Sequence, residues 1–365
     1  MSSLLSAASA LPLHRYPQGQ ITEAFTELMV GSRVDSALDG PSSESLRKAI
    51  SRTHAATTVE WRHLALPLPD YEKLDDFGAC NDAFLREAPP LAARAVTLAL
   101  ERAGLAVEDV DLIVSATVTG VAAPSLEARL VPLLGLRPDV KRMPLVGLGC
   151  VAGAAGIARV SDYLAGHPAD VAVLVSVELC SLTLQRDDTS MANVVASGLF
   201  GDGAAAVVMA GDDRASALDR KAVEVRDSVA HFFPDTERVM GWDVGASGMR
   251  VVLSPEVPDL VANDLRPVVD RFLARHDLAV GDIEYWIAHP GGPKVLTALE
   301  GAMDIDATAT AVTWASLREV GNLSSASVLH VLEQTLDVRP AGSGGPALLV
   351  AMGPGFCAEL VLLRW

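Results

Sequence analysis

Leu105-Ala106-Val107-Glu108-Asp109-Val110-Asp111-Leu112-Ile113-Val114-Ser115 returns further along the chain as Leu278-Ala279-Val280-Gly281-Asp282-Ile283-Glu284-Tyr285-Trp286-Ile287-Ala288, an offset of 173 from 105 to 278. Each copy reads as a turn entering a strand. Within one residue the same offset carries Gly149-Cys150 onto Gly321-Asn322, and Val171-Ala172-Val173-Leu174-Val175 onto Gly344-Gly345-Pro346-Ala347-Leu348. Three matches in one order predict a duplication, and at this period the unit is a whole α/β half rather than one turn of a solenoid. In this register Cys150 and Asn322 hold equivalent strand-to-helix turns.

Around the repeat the chain alternates. Leu91 to Ala103 has helical composition with Gly104 as its stop, Leu112 to Ala116 is a strand, Leu126 to Leu134 a helix ending at Gly135, and Val171 to Val177 a buried strand. Phe200-Gly201-Asp202-Gly203-Ala204-Ala205-Ala206-Val207-Val208-Met209 is a glycine turn entering another. Continuous apolar strands between helices predict an α/β fold whose sheet is covered on both faces. The polar stretch from Gly211 to Lys221 is the natural boundary, dividing the chain into residues 1–220 and 221–365.

The chain has 365 residues, half of them hydrophobic, enough for about two domains of ordinary size. No run approaches the ~20 apolar residues that span a bilayer. Leu4 to Leu11 lacks a basic flank, its first cation being Arg15, and reads as a flexible start rather than a signal. Four cysteines, Cys80, Cys150, Cys180 and Cys357, show no close spacing of the kind zinc sites use, and they predict a reducing, cytoplasmic setting. A formal charge of −17 disfavours nucleic acid as a partner. Against it stands a local basic cluster of Arg47, Lys48, Arg52, His54, Arg62 and His63, either a solvated helix face or a contact for an anionic substrate such as a nucleotide phosphate.

Cys150 closes the apolar run Leu145-Val146-Gly147-Leu148-Gly149 and precedes the small residues Val151-Ala152-Gly153-Ala154-Ala155-Gly156, where a helix can begin. Glycines allow close approach of a carbonyl, and a helix N-terminus favours thiolate. His289 ends the strand Trp286-Ile287-Ala288, and strand ends are where open α/β sheets form their crevices. Asn322 precedes a helix in Gly321-Asn322-Leu323-Ser324-Ser325. Singly these are a core cysteine, a core histidine and a helix cap; at three glycine-marked strand ends of duplicated halves they predict one shared site.

Taken together, Leu134-Gly135-Leu136-Arg137-Pro138, Gly149-Cys150-Val151-Ala152-Gly153, Leu199-Phe200-Gly201-Asp202-Gly203-Ala204, His289-Pro290-Gly291-Gly292, Gly321-Asn322-Leu323-Ser324-Ser325 and Gly353-Pro354-Gly355-Phe356 resemble, in order, the type III polyketide synthases of the chalcone synthase-like family. The resemblance runs from about Leu46 to the end. It implies the thiolase fold, an αβαβα-layered α/β architecture of two pseudo-twofold halves, and a homodimer. It implies Cys150 as a standing thiolate that takes an acyl group from acyl-CoA, with His289 and Asn322 donating to the enolate oxygen formed when malonyl-CoA loses carbon dioxide. No metal or redox cofactor is required by that chemistry.

The resemblance also implies a set of substrate contacts. Phe200 is the gatekeeper between CoA tunnel and cavity, Lys48 and Arg52 meet the CoA phosphates, and Val118, Cys180 and Thr183 fall where plant chalcone synthases carry threonines lining their pockets. Trp242 falls near a cavity position that is small in the plant enzymes and narrows the elongation space. Cysteine at position 180 resembles both bacterial long-chain alkylpyrone synthases and tetrahydroxynaphthalene synthases. The preferred expectation is a fatty acyl-CoA starter, a few malonyl-CoA extensions, and an alkylpyrone or alkylresorcinol product. The alternatives are a malonyl-CoA-only tetrahydroxynaphthalene-type synthase, a ketoacyl-ACP synthase III, and a catalytically silent thiolase-fold acyl-binding scaffold.

Overall fold

The computed structural model describes residues 2–34, 43–218, 221–339, 342 and 344–365. The first half of the chain forms β1 (Ser2–Ala10), β2 (His14–Pro17), α1 (Gln18–Val34), α2 (Ser43–Ala55), β3 (Trp61–Leu64), α3 (Phe77–Ala103), β4 (Leu112–Ala116), α4 (Leu126–Leu134), β5 (Lys141–Leu145), α5 (Ala152–Gly166), β6 (Val171–Leu179), α6 (Met191–Leu199), β7 (Asp202–Gly211) and α7 (Asp212–Ala217). The second forms β8 (Val223–Phe232), β9 (Met240–Gly245), β10 (Gly248–Leu253), α8 (Val257–Ala274), β11 (Tyr285–Ala288), α9 (Pro293–Met303), α10 (Ala311–Val320), α11 (Ser327–Val338), β12 (Pro346–Gly353) and β13 (Cys357–Arg364). Among the described residues no helix is long and apolar enough to cross a membrane.

Nine strands hydrogen-bond in the order β11-β12-β13-β8-β1-β7-β6-β4-β5. The junction in the middle is narrow, only Ser2–Leu4 of β1 against Val223–Val225 of β8, so the two halves of the sheet meet at a corner. Alternating side chains then feed different layers. Ile113 and Val173 pack outward beneath α3 and α4. Their neighbours Leu112, Val114 and Leu174 pack inward on α5 and α11, which also cover Leu349 and Val361 of the other half. Leu348 and Val350 face out again, onto α8 and α9. The period of two along strands that are apolar on both faces produces five layers, αβαβα.

The duplication is visible in topology. β4-β6-β7-β1 runs parallel, antiparallel, antiparallel, and β11-β12-β13-β8 repeats that pattern. The repeated Leu-Ala-Val turn has a physical reason: the Asp109 carboxylate accepts the Ala106 N–H at 2.9 Å, and the Asp282 carboxylate accepts that of Ala279 at 2.8 Å. Beyond β11 the expected register is short by two or three residues. Leu112 pairs with Ala172 and Tyr285 with Ala347, so Val171 corresponds to Pro346 rather than Gly344. The single turns Gly149–Val151 and Ser324–Ala326 likewise correspond, which places Ser325, not Asn322, opposite Cys150.

Two further expectations change, and the boundary is left untouched. The start of the chain is not flexible: Ser2–Ala10 is a buried central strand, and its serines and alanines are small because β7 and β8 flank it and layers cover both faces. The helix ending at Gly104, in the left-handed region at φ 67°, begins at Phe77 and runs through Pro89 and Pro90, with the Asp76 side chain capping Ala79 N–H. The polar stretch after Gly211 holds the short α7, and residues 219–220, where the chain was divided, lie outside the described residues.

Candidate active site

Cys150 sits in the single 3-10 turn Gly149–Val151 that leads into α5. Gly149 has φ +53°, and a Cβ there would lie 2.6 Å from Pro354 Cγ. Only glycine serves both demands. The Gly353-Pro354-Gly355-Phe356 loop between β12 and β13 therefore rests directly on the turn that presents the thiol.

His289 follows β11, its N–H bonded to the Val350 carbonyl at 2.8 Å, and is almost wholly buried. Asn322 is held by backbone on both sides, its N–H donating to the Leu199 carbonyl and its own carbonyl accepting from Gly201 N–H, each at 2.9 Å. The same pairing ties it to Phe200. Its amide is oriented: Oδ1 accepts the Ser324 N–H at 2.8 Å and the Ser327 hydroxyl at 3.3 Å, which turns Nδ2 toward His289 Nε2 at 3.5 Å. That separation is at the edge of hydrogen bonding, so the two nitrogens stand side by side, placed to share one oxygen. His289 Nδ1 is buried without a hydrogen-bond partner among the described residues.

Ser324, which sequence reasoning passed over, lies closest to the nucleophile, its hydroxyl 3.6 Å from Cys150 Sγ. It adopts φ 50°, a costly conformation for a residue with a Cβ. Glu178 is the other missed group. Its carboxylate accepts Val118 N–H at 3.0 Å, the Thr119 hydroxyl at 2.9 Å and the Ser325 hydroxyl at 2.5 Å.

Burial works against the standing thiolate that the resemblance implies. It pushes the Cys150 thiol up to about 12, with the Ser324 hydroxyl opposing the rise and Glu178 adding to it, and pushes His289 down to about 4. In the free protein burial therefore disfavours the charged form of each group. Iodoacetamide labelling of Cys150 in the free protein should accordingly keep rising through the alkaline range. A rate that levels off near neutrality would show a resident thiolate.

Phe200, Cys180, Thr183 and Trp242 line one narrow cleft, together with Arg62 and Phe25. Phe200, which lines the cleft, pairs with Asn322, and this ties the cleft to the turn that carries the carboxamide. Trp242 enters from the β9–β10 hairpin. The Thr183 hydroxyl donates to the Cys180 carbonyl at 2.8 Å. Val118 lies instead in the loop after β4, beside Glu178. Lys48 and Arg52 are exposed on α2 and not in this cleft, Lys48 being paired with Glu44 at 2.6 Å. The basic cluster is thus not one surface, because His54 and Arg62 are buried and His54 is held neutral by burial, at about 4.

The chain as a whole has counterparts among known proteins. Residues 224–365 match the chalcone and stilbene synthases, C-terminal domain, and residues 71–231 match the FAE1/type III polyketide synthase-like proteins. A 1,3,6,8-tetrahydroxynaphthalene synthase of Streptomyces peucetius subsp. caesius is 50% identical over 364 residues, covering 100% of this chain and 93% of that one. An alpha-pyrone synthesis polyketide synthase-like protein, Pks18, of Mycobacterium tuberculosis is 33% identical over 87% of this chain and 82% of its own. The crystal structure of 1,3,6,8-tetrahydroxynaphthalene synthase from Streptomyces coelicolor superposes with a TM-score of 0.88 at 30% identity, covering 100% of this chain and 99% of that one. The chain belongs to the type III polyketide synthases of the chalcone and stilbene synthase family, acyltransferases with the thiolase-like α/β fold.

Proposed function

We propose that this polyketide synthase is primed and extended by malonyl-CoA alone and releases a polyhydroxylated naphthalene of the tetrahydroxynaphthalene type. The observation that carries the reading is the 50% identity, over essentially the whole chain, to a tetrahydroxynaphthalene synthase. Arg62, which lines the cleft and whose Nη2 has no hydrogen-bond partner among the described residues, supports it over the fatty acyl starter preferred from sequence, since a hydrocarbon chain would leave that donor unpaired. Cys180 agrees with either reading.

In this proposal the Cys150 thiol loses its proton to His289 and attacks the malonyl thioester; the sulfur–acyl bond forms, the CoA–acyl bond breaks, and CoA leaves as the thiol after taking a proton back. A second malonyl-CoA then loses carbon dioxide. The electron pair of the broken carbon–carbon bond moves onto the thioester oxygen, held by His289 Nε2–H and Asn322 Nδ2–H, and returns to form the new carbon–carbon bond at the Cys150 thioester; the sulfur–acyl bond breaks, Cys150 leaves as thiolate, and the lengthened chain, now on CoA, is passed back to Cys150 for the next round. Repetition gives a poly-β-ketone that closes into rings. Each step needs a thiol, a proton carrier and two donors, and the proposal includes no metal or redox cofactor. It includes a homodimer, with sedimentation as the check, and a cytoplasmic setting suited to unpaired thiols and CoA substrates.

The test is product analysis with malonyl-CoA alone and with a panel of acyl-CoA starters. The expected result is an aromatic product from malonyl-CoA alone that added fatty acyl-CoA does not displace. Dependence on fatty acyl-CoA with pyrone products would overturn it in favour of the alkylpyrone reading, which the α-pyrone-synthesising relative represents.

A further inference from the structure

Arg62 of β3 heads the fully buried side chains ordered by size, at 1% exposure. Its Nε donates to Gln18 Oε1 at 2.9 Å, and Nη1 donates to the Ser197 and Phe200 carbonyls, both at 2.8 Å. Nη2 is buried and has no hydrogen-bond partner among the described residues. With the other two nitrogens turned toward α1 and α6, Nη2 is the edge left for the cleft that Arg62 lines with Phe25, Cys180 and Phe200. The guanidinium carbon stands 5.7 Å from the centre of the Phe25 ring.

The charge has Asp202 at a distance and no ion pair. Among the described residues no carboxylate comes within ion-pair distance of Arg62. Asp202, which acts on it through space, is itself pushed up to about 6 by burial, and accepts hydrogen bonds from Ser181 N–H at 2.8 Å and Ala65 N–H at 2.6 Å. Burial lowers Arg62 only to about 10, so it stays a cation at neutral pH. A buried cation with one donor edge free is costly unless something anionic completes it.

Resting on the reading of malonyl-CoA as starter, we propose that Arg62 is a specificity-determining residue whose free Nη2 edge binds the carboxylate of the malonyl group carried on Cys150. A malonyl unit ends in a carboxylate and a fatty acyl unit in a methyl; only the first can pair with a guanidinium donor, in a charge-assisted bond. Arg62 also packs against the turn that carries Asn322, its Cδ lying 3.3 Å from where a Cβ on Gly321 would stand, and it shares the cleft with Cys180.

The experiment offers the full-length protein equal concentrations of malonyl-CoA and hexanoyl-CoA and reads the ratio of malonyl-primed to hexanoyl-primed products. Arg62→Gln should lower that ratio roughly tenfold, the loss expected for one charge-assisted bond. A merely structural role would depress both products together and leave the ratio where it was. Because Arg62 also holds α1 and α6, a second pair keeps the question decidable if that variant does not fold. Cys180→Asn offers Nη2 a carbonyl acceptor and should lower the ratio, whereas Cys180→Leu, similar in size without an acceptor, should not. Wild-type priming by malonyl-CoA with an unchanged ratio in the folded variants overturns the role of Arg62 alone. A wild-type protein that malonyl-CoA does not prime overturns both that role and the reading beneath it.

Discussion

Replacing Cys150 by alanine is expected to abolish polyketide formation, a loss on the order of 10⁴-fold or more, because the thiol that carries the growing chain as a thioester is gone. Ser324, whose hydroxyl is 3.6 Å from the sulfur, is the nearest substitute, and a hydroxyl without a strong base beside it is a poor nucleophile. The variant should keep its fold, since the turn is set by Gly149 and by Pro354 lying over it rather than by the thiol. It should also keep a slow decarboxylation of malonyl-CoA, because His289 and Asn322 are untouched. Product analysis and carbon dioxide release from the same sample separate the two activities. Undiminished polyketide from Cys150→Ala would remove the thiol from the mechanism.

Asn322→Asp should cut decarboxylation by roughly 10²- to 10³-fold, the usual loss for removing one donor to a developing oxyanion. Aspartate is the informative change. It still accepts from Ser324 N–H and Ser327, the two bonds that fix the turn, and it removes only the Nδ2 donor that stands beside His289. Acyl transfer to Cys150 does not depend on that donor to the same degree, so loading should survive. Equal loss of both half-reactions in a folded variant would show that Asn322 serves the turn and not the enolate.

What could be read from the sequence was whatever local chemistry marks locally. The Leu-Ala-Val turn is legible because Asp109 and Asp282 cap their own turns three residues away, and the site is legible because glycines flank Cys150, His289 and Asn322. Arg62 was misread as part of a basic surface because its partners Gln18, Ser197 and Phe200 are distant in the chain. Ser2–Ala10 was misread because serine and alanine carry little strand preference; burial between two strands and two helical layers decides that segment. The surroundings of the thiol were hidden for a related reason. A helix N-terminus was visible in the sequence, and the burial of the thiol beside Glu178, which outweighs it, was not.

The central claim is that Cys150 carries the malonyl-derived chain. The most direct measurement is the mass of the proteolytic peptide containing Cys150 after Asn322→Asp protein, slowed at decarboxylation, is incubated with malonyl-CoA. The account predicts a malonyl thioester of intact mass on Cys150, absent from Cys80, Cys180 and Cys357. An unmodified Cys150, or an adduct on another residue, while the wild-type protein makes product under the same conditions, would contradict it.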